Sequence, residues 1–304
     1  MSTAAPSLFS DRFSIKDLEL FSGVKAHTIR MWERRYRLLS PARSTTNIRS
    51  YGIDDLKTLL NTALLVKEGE PISRVAALSA LGRDERVRSM AGAKWADDEA
   101  LNAMKLAMLT YDEALFERTS GAFRIDHGFD GLVERLYLPL LQLVGLLWQS
   151  NTICPAQEHF VSNLIRQKLV SAIDTLPIVA VDPLPLVVLY LPENEIHELG
   201  LLYLHYRLRR AGRRTLYLGQ SVPIADLADV ARHWAGPLDV CAVCTAFPQG
   251  NDAARYLNEL VTALDRSDIR VHLTGARTPG GELPEGVQRY DSVPALAEAV
   301  VHGR

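Results

Sequence analysis

From residue 184 onward, runs of continuously apolar residues alternate one for one with stretches of helical spacing. "LPLVVLYLP" gives way to "HELGLLYLHYRLRRAG", followed by "RRTLYLGQ", "PIADLADVARHW", "DVCAVCTAF", "DAARYLNELVTAL", "IRVHLTGA", "GVQRYDS" and "VPALAEAVV". A strand that is apolar at nearly every residue has no wet face, so its sheet must be covered on both sides. The intervening helices supply that cover and return the chain to start each next strand in the same direction. The pattern predicts a parallel sheet with helices on both faces, and ligands of such sheets sit beyond the carboxyl ends of the strands.

Five strands in this pattern suit a flavodoxin-like order. The first strand and helix frame the loop "ENEIHELG", which puts His197 in the crevice region. Two readings are open there: a histidine that solvates a loop, or one that the loop presents to a ligand. Cys241 and Cys244 form a C-x-x-C inside an apolar run, without the second ligand pair a zinc site needs. They read as small buried hydrophobes. Cys154 is the remaining cysteine, and three cysteines do not make a disulfide framework.

A chain of 304 residues exceeds a single domain of ~100–200 residues. Its remainder predicts a small helical module over 1–82, a linker over 83–96 and a four-helix bundle over 97–178, ahead of the α/β domain over 184–304. The fold class is thus multidomain, α and α/β. No apolar run approaches the ~20 residues that span a bilayer, and the N-terminal stretch lacks a basic segment followed by an apolar core. No membrane association and a cytoplasmic location are expected.

The net charge of −2 hides an asymmetry, because residues 1–50 carry nine Lys/Arg against four acids. In "SIKDLELFSGVKAHTIRMWERRY", Ser14 is placed to cap a helix that Ser22-Gly23 stops. A second helix from about Ala26 sets Ile29, Trp32 and Tyr36 on one apolar stripe and Thr28, Arg30, Arg34 and Arg35 on the other face. A short hairpin follows that presents Arg43, Asn47 and Arg49. Two helices across a glycine turn, the second basic, followed by a basic hairpin, suit double-stranded DNA better than a merely solvated face.

"T-I-R-x-W-E-x-R-Y-x-L-L-x-P-x-R" followed by "N-x-R-x-Y" resembles the winged helix-turn-helix of the MerR family of transcriptional regulators. The resemblance implies that Thr28, Arg30, Arg34 and Arg35 face the major groove of operator DNA, with Arg43, Asn47, Arg49 and Tyr51 as wing and backbone contacts. The sustained heptad run through which MerR-type proteins dimerise is missing, so self-association into a dimer or tetramer must use other surfaces.

"E-x-H-x-x-G", here Glu195, His197 and Gly200, resembles a cobalamin-binding signature. It implies His197 as the lower ligand of cobalt, Glu195 as its second-shell partner and Gly200 as room for the corrin, with Thr245 and Gly275 beside the nucleotide tail. Thr274 stands where the family carries a second glycine. In the bundle, Trp148 is followed ten and eleven residues later by Glu158 and His159, a spacing similar to that of the CarH/CarA/LitR group of regulators. That resemblance implies adenosylcobalamin, with these three residues at its upper face, and a non-enzymatic repressor whose oligomeric state cobalamin controls, with light breaking the assembly. Light-responsive members carry a histidine directly after the tryptophan, whereas this chain has Gln149, so no bis-histidine cobalt is expected after illumination. The competing expectation is a cobalamin-independent MerR-type regulator that answers to a protein partner or another ligand.

Overall fold

The computed structural model describes residues 12–303 apart from 44–47, 90–92, 150–151, 181–182, 247, 249–250, 277 and 279–282; for helix residues 88, 93–96, 148–149 and 251–252 it describes the backbone alone. The chain forms two compact units, residues 1–161 and 162–304.

The first unit opens with α1 (Ile15–Ser22), α2 (Ala26–Tyr36), a two-stranded antiparallel wing of β1 (Ala42–Arg43) and β2 (Arg49–Ser50), and α3 (Ile53–Lys67). Ser14 and Asp17 form the expected reciprocal cap, the Asp17 carboxylate accepting from the Ser14 amide at 2.7 Å. Gly23, at φ 72°, takes the left-handed conformation that ends α1 and turns the chain into α2. Leu18, Phe21, Ile29 and Trp32 bury the facing sides of the two helices.

α4 (Ile72–Ala77) and α5 (Ala80–Ser89) come next, followed by α6 (Ala93–Thr110). The stretch 83–96, which its charge and weak periodicity mark as a linker, has its described residues in the end of α5 and the start of α6. Two of these charged residues have partners within the unit: Lys57 and Asn61 of α3 both donate to Asp84, at 2.7 and 2.6 Å, and Arg83 donates to the Leu78 carbonyl at 2.7 Å. α6 is also fastened to the helix-turn-helix. Lys105 Nζ, largely buried, donates to the Phe21 carbonyl at 3.1 Å in the last turn of α1 and to Asn102 Oδ1 at 3.0 Å, and Lys67 pairs with Asp98 beside it. α7 (Glu113–Leu132) kinks at Gly128, whose φ of 70° and ψ of −179° are open only to glycine, and a π-helical turn over Val133–Tyr137 leads into α8 (Leu138–Gln149). α9 (Pro155–Asp174) completes the helical series.

The second unit is the α/β sandwich that the apolar runs imply. Its strands are β3 (Leu186–Pro192), β4 (Thr215–Val222), β5 (Leu238–Val243), β6 (Ile269–Thr274) and β7 (Val287–Tyr290), all parallel in the order β4-β3-β5-β6-β7. α10 (Leu199–Arg210) and α13 (Val293–Val301) cover one face, packing Leu201, Leu204, Leu208 and Leu296 on Val187, Leu189 and Leu191. α11 (Ile224–His233) and α12 (Asn251–Ala263) cover the other, packing Leu227, Leu257 and Leu260 on Val188, Tyr190 and Val240. Cys241 belongs to the first of these faces and Cys244 to the second, so they cannot bridge. Burial pushes the Cys244 thiol up to about 12, as expected of an inert apolar side chain.

Candidate functional site

The loop between β3 and α10 is built around one carboxylate. Asn194, at φ 71°, turns the chain after Pro192, and Glu195 folds back into the protein with no exposed surface. Glu195 Oε1 accepts the amides of Ile196 and His197, both at 2.9 Å, and Oε2 accepts those of Thr245 and Ala246 at 3.1 and 2.6 Å. Its own carbonyl accepts from the Ser221 amide at 3.1 Å. The loops after β3 and β5 and the last residues of β4 are thereby tied to a single residue at the carboxyl edge of the sheet.

Glu195 Oε1 also lies 2.5 Å from His197 Nδ1. A carboxylate buried under four amide donors is an acceptor, so Nδ1 carries the proton and the ring lone pair lies on Nε2. The His197 side chain is 54% exposed, while that of Glu195 is wholly covered. The imidazole is held from behind and presented at the surface, the arrangement that gives a metal-ligating histidine its tautomer and basicity.

Glu198, the next residue, is braced from two sides: Arg166 Nε of α9 donates to Oε1 at 2.5 Å and the Tyr217 hydroxyl donates to Oε2 at 3.0 Å. Burial beside Glu198 pushes the Tyr217 phenol well up, keeping it a donor. Tyr217 stacks on His205, ring centroids 5.0 Å apart, and burial lowers His205 to about 4. Gly200 opens α10, where a Cβ would stand 2.9 Å from Val243 Cγ1. Gly275, at φ 112°, leaves its side-chain space to the Cys244 backbone, whose carbonyl oxygen would stand 2.4 Å from a Cβ. Thr245 is exposed with its amide on Glu195, and Thr274 is buried.

The donor set fits a corrin. Among the described residues, no group of three or more His, Cys, Asp or Glu could hold a bare metal ion. A single oriented imidazole serves a metal whose other positions a macrocycle already fills.

In the first unit, Glu158 and His159 sit on the first turn of α9, His159 Nδ1 lying 2.7 Å from Glu158 Oε2 with its ring largely exposed. Trp148 belongs to the last turn of α8, and its side chain lies outside the described residues.

On α2, Arg30, Arg34 and Arg35 are exposed and Thr28 is half-buried. Arg43 is exposed on β1, and Asn47 lies outside the described residues. Two wing residues have partners within the module. Tyr51 is fully buried, donating to Glu33 Oε2 at 3.0 Å, and Arg49 Nε donates to Glu33 Oε1 at 2.9 Å. In this arrangement the Tyr51 hydroxyl is engaged by Glu33. It fixes the wing to α2, because the motif "N-x-R-x-Y" specifies an aromatic body to bury as much as a hydroxyl to present. Sequence reasoning missed Glu33 as the organiser of the wing and Arg166 and Tyr217 as braces of Glu198. The i, i+3, i+4 spacing would also have added His27 and Met31 to the open face of α2, where both are exposed.

The comparisons with known proteins agree with this architecture. The family model described as MerR HTH family regulatory protein matches residues 13–80, and that of the B12 binding domain matches residues 100–170, on the helices. The HTH-type transcriptional repressor CarH of Myxococcus xanthus is 34% identical over 216 residues, 68% of this chain and 70% of that protein. The repressor CarA of the same organism is 30% identical over 222 residues, 70% of each chain. The monomethylamine corrinoid protein of Methanosarcina barkeri shares the fold alone, at 12% identity and a TM-score of 0.53, over 68% of this chain and 100% of that one. No described helix is long and apolar enough to cross a membrane. Helix-turn-helix, B12-binding helices and α/β sheet together make this chain a member of the family of MerR-type, B12-binding transcriptional regulators to which the CarH and CarA repressors belong.

Proposed function

We propose that this regulator is a cytoplasmic, non-enzymatic repressor that binds operator DNA as a dimer or tetramer and takes adenosylcobalamin as its signal. In this reading residues 97–178 form a helical cap and residues 184–304 hold the cofactor, with His197 as the lower cobalt ligand. The single observation that carries it is the His197 imidazole, half-exposed and held by the buried Glu195. When bound, the cofactor supplies a cobalt–carbon bond that light can break. Glu195 fixes the ring of His197, and the amides of Thr245 and Ala246 hold Glu195 in turn. Trp148, Glu158 and His159 are assigned to the upper axial group and Thr245 and Gly275 to the tail, on the strength of their spacing. The response is a population shift, in which the axial group favours one arrangement of the helical cap and hence one oligomer.

The test is electron paramagnetic resonance of the full chain loaded with cob(II)alamin, with and without nitrogen-15 histidine. Ligation by His197 requires that the isotope change the multiplicity of the axial-nitrogen splitting, and that His197→Ala abolish the change. A splitting that ignores the label would overturn the assignment. A colourless protein whose oligomeric state and operator affinity ignore cobalamin would favour a regulator that answers to a different ligand or partner.

A further inference from the structure

The open face of α2 carries one apolar residue among basic ones. Its exposed positions are His27, Arg30, Met31, Arg34 and Arg35, spaced i, i+3, i+4, i+7 and i+8 along one side of the helix. The only acid of α2, Glu33, is turned away from it, 14% exposed and held by Arg49 and Tyr51 in the wing. The face is therefore cationic at its flanks, where the Arg35 guanidinium is steadied over the Tyr36 ring at 5.4 Å. At its centre is an apolar side chain, Met31, 41% exposed and sixth of the eleven residues of the helix.

A recognition helix docked in the major groove turns one face to the base edges, and the side chains bordering that face reach phosphates. Arginine flanks suit phosphate oxygens and the acceptors of guanine. A thioether at the centre offers the groove no strong hydrogen bond. The one apolar feature that the major groove displays is the C5-methyl of thymine. Methionine, unbranched and polarisable, can follow that methyl as the helix settles.

We propose that Met31 is a specificity-determining residue that reads a thymine methyl in the operator. The proposal rests on the assignment of α2 to the major groove. Removing one buried methyl contact should weaken binding about threefold to tenfold.

The experiment uses the full chain and, as probe, the duplex most enriched by the wild-type protein from a random pool. Each thymine of that duplex is replaced in turn by uracil, which removes the methyl and leaves every hydrogen-bonding group. At one position uracil should lower wild-type affinity by the stated factor. Met31→Ala should bind the thymine duplex as weakly as wild type binds the uracil duplex, and should be indifferent to uracil at that position. If no single uracil matters, or if Met31→Ala keeps the same sensitivity, the proposal is overturned. Arg34→Ala separates this from the underlying assignment: it should weaken all duplexes alike, flatten the salt dependence and keep the uracil penalty. An unchanged salt slope in that variant would remove α2 from the groove altogether.

Discussion

Two glutamates, Glu33 partly covered and Glu195 fully buried, each organise a loop region of the molecule, and they do so by different means. Glu33 holds the wing through side chains, the Arg49 guanidinium and the Tyr51 hydroxyl. Glu195 holds the loop after β3 through main chain, four amides drawn from two loops, and adds the imidazole of His197. A side-chain clamp can be renegotiated, because a DNA phosphate can compete with Glu33 for Arg49. A main-chain clamp cannot be traded without dismantling the loops. The proposed DNA face is thus held by exchangeable contacts, and the proposed ligand face by fixed ones.

The largest effect that separates the two is stability. Glu195→Ala strands four part-buried amides at once and should lower the unfolding free energy by roughly 2–3 kcal/mol. Glu33→Ala frees a tyrosine hydroxyl and a partly exposed arginine and should cost about 1–2 kcal/mol. Urea titrations that rank them equally would break the distinction. Glu195→Gln retains some acceptor capacity but not the charge that faces Nδ1, so cobalamin affinity should fall about tenfold to a hundredfold, read by absorbance titration.

On the DNA side, Arg34→Ala should make the logarithmic salt dependence of operator binding shallower by about 0.9. Arg49→Ala should change it less, since Arg49 is already engaged by Glu33. A larger change at Arg49 would show the clamp opening on DNA.

Acid gives the smallest contrast, at the brace of the ligand face. His205 is held neutral in the fold, its value lowered by burial and by Arg209 from 6.5 to about 4. As pH falls from about 6.5 towards about 4, the unfolded chain takes up a proton that the folded chain refuses, so stability drops through that window. His205→Gln should lose this contribution, seen as a smaller fall in unfolding midpoint between pH 7 and pH 5. An equal fall in both proteins would count against it.

What the sequence reveals follows the same division. Local signals with side-chain signatures were legible: the Ser14 cap, the Gly23 stop, and the parallel sheet in the apolar runs from Leu186 to Val243. α5 was hidden because the charges that make it look like a linker find partners on α3, far along the chain. The Glu195 cage was invisible for a different reason, since amide donors carry no residue identity. Arg166, Glu198 and Tyr217 meet only after three elements have packed.

Lys105 bears on how chains of this kind can be recombined. Helix-turn-helix modules look like portable cassettes, and the obvious cut falls ahead of Ala93, where the DNA-binding match has already ended. The amine that ties off the Phe21 carbonyl lies beyond that cut. A chimera joined there delivers a recognition helix whose preceding turn has lost its tether. The transferable piece includes the helix that carries Lys105, and a lineage exchanging effector domains would have to exchange them behind it.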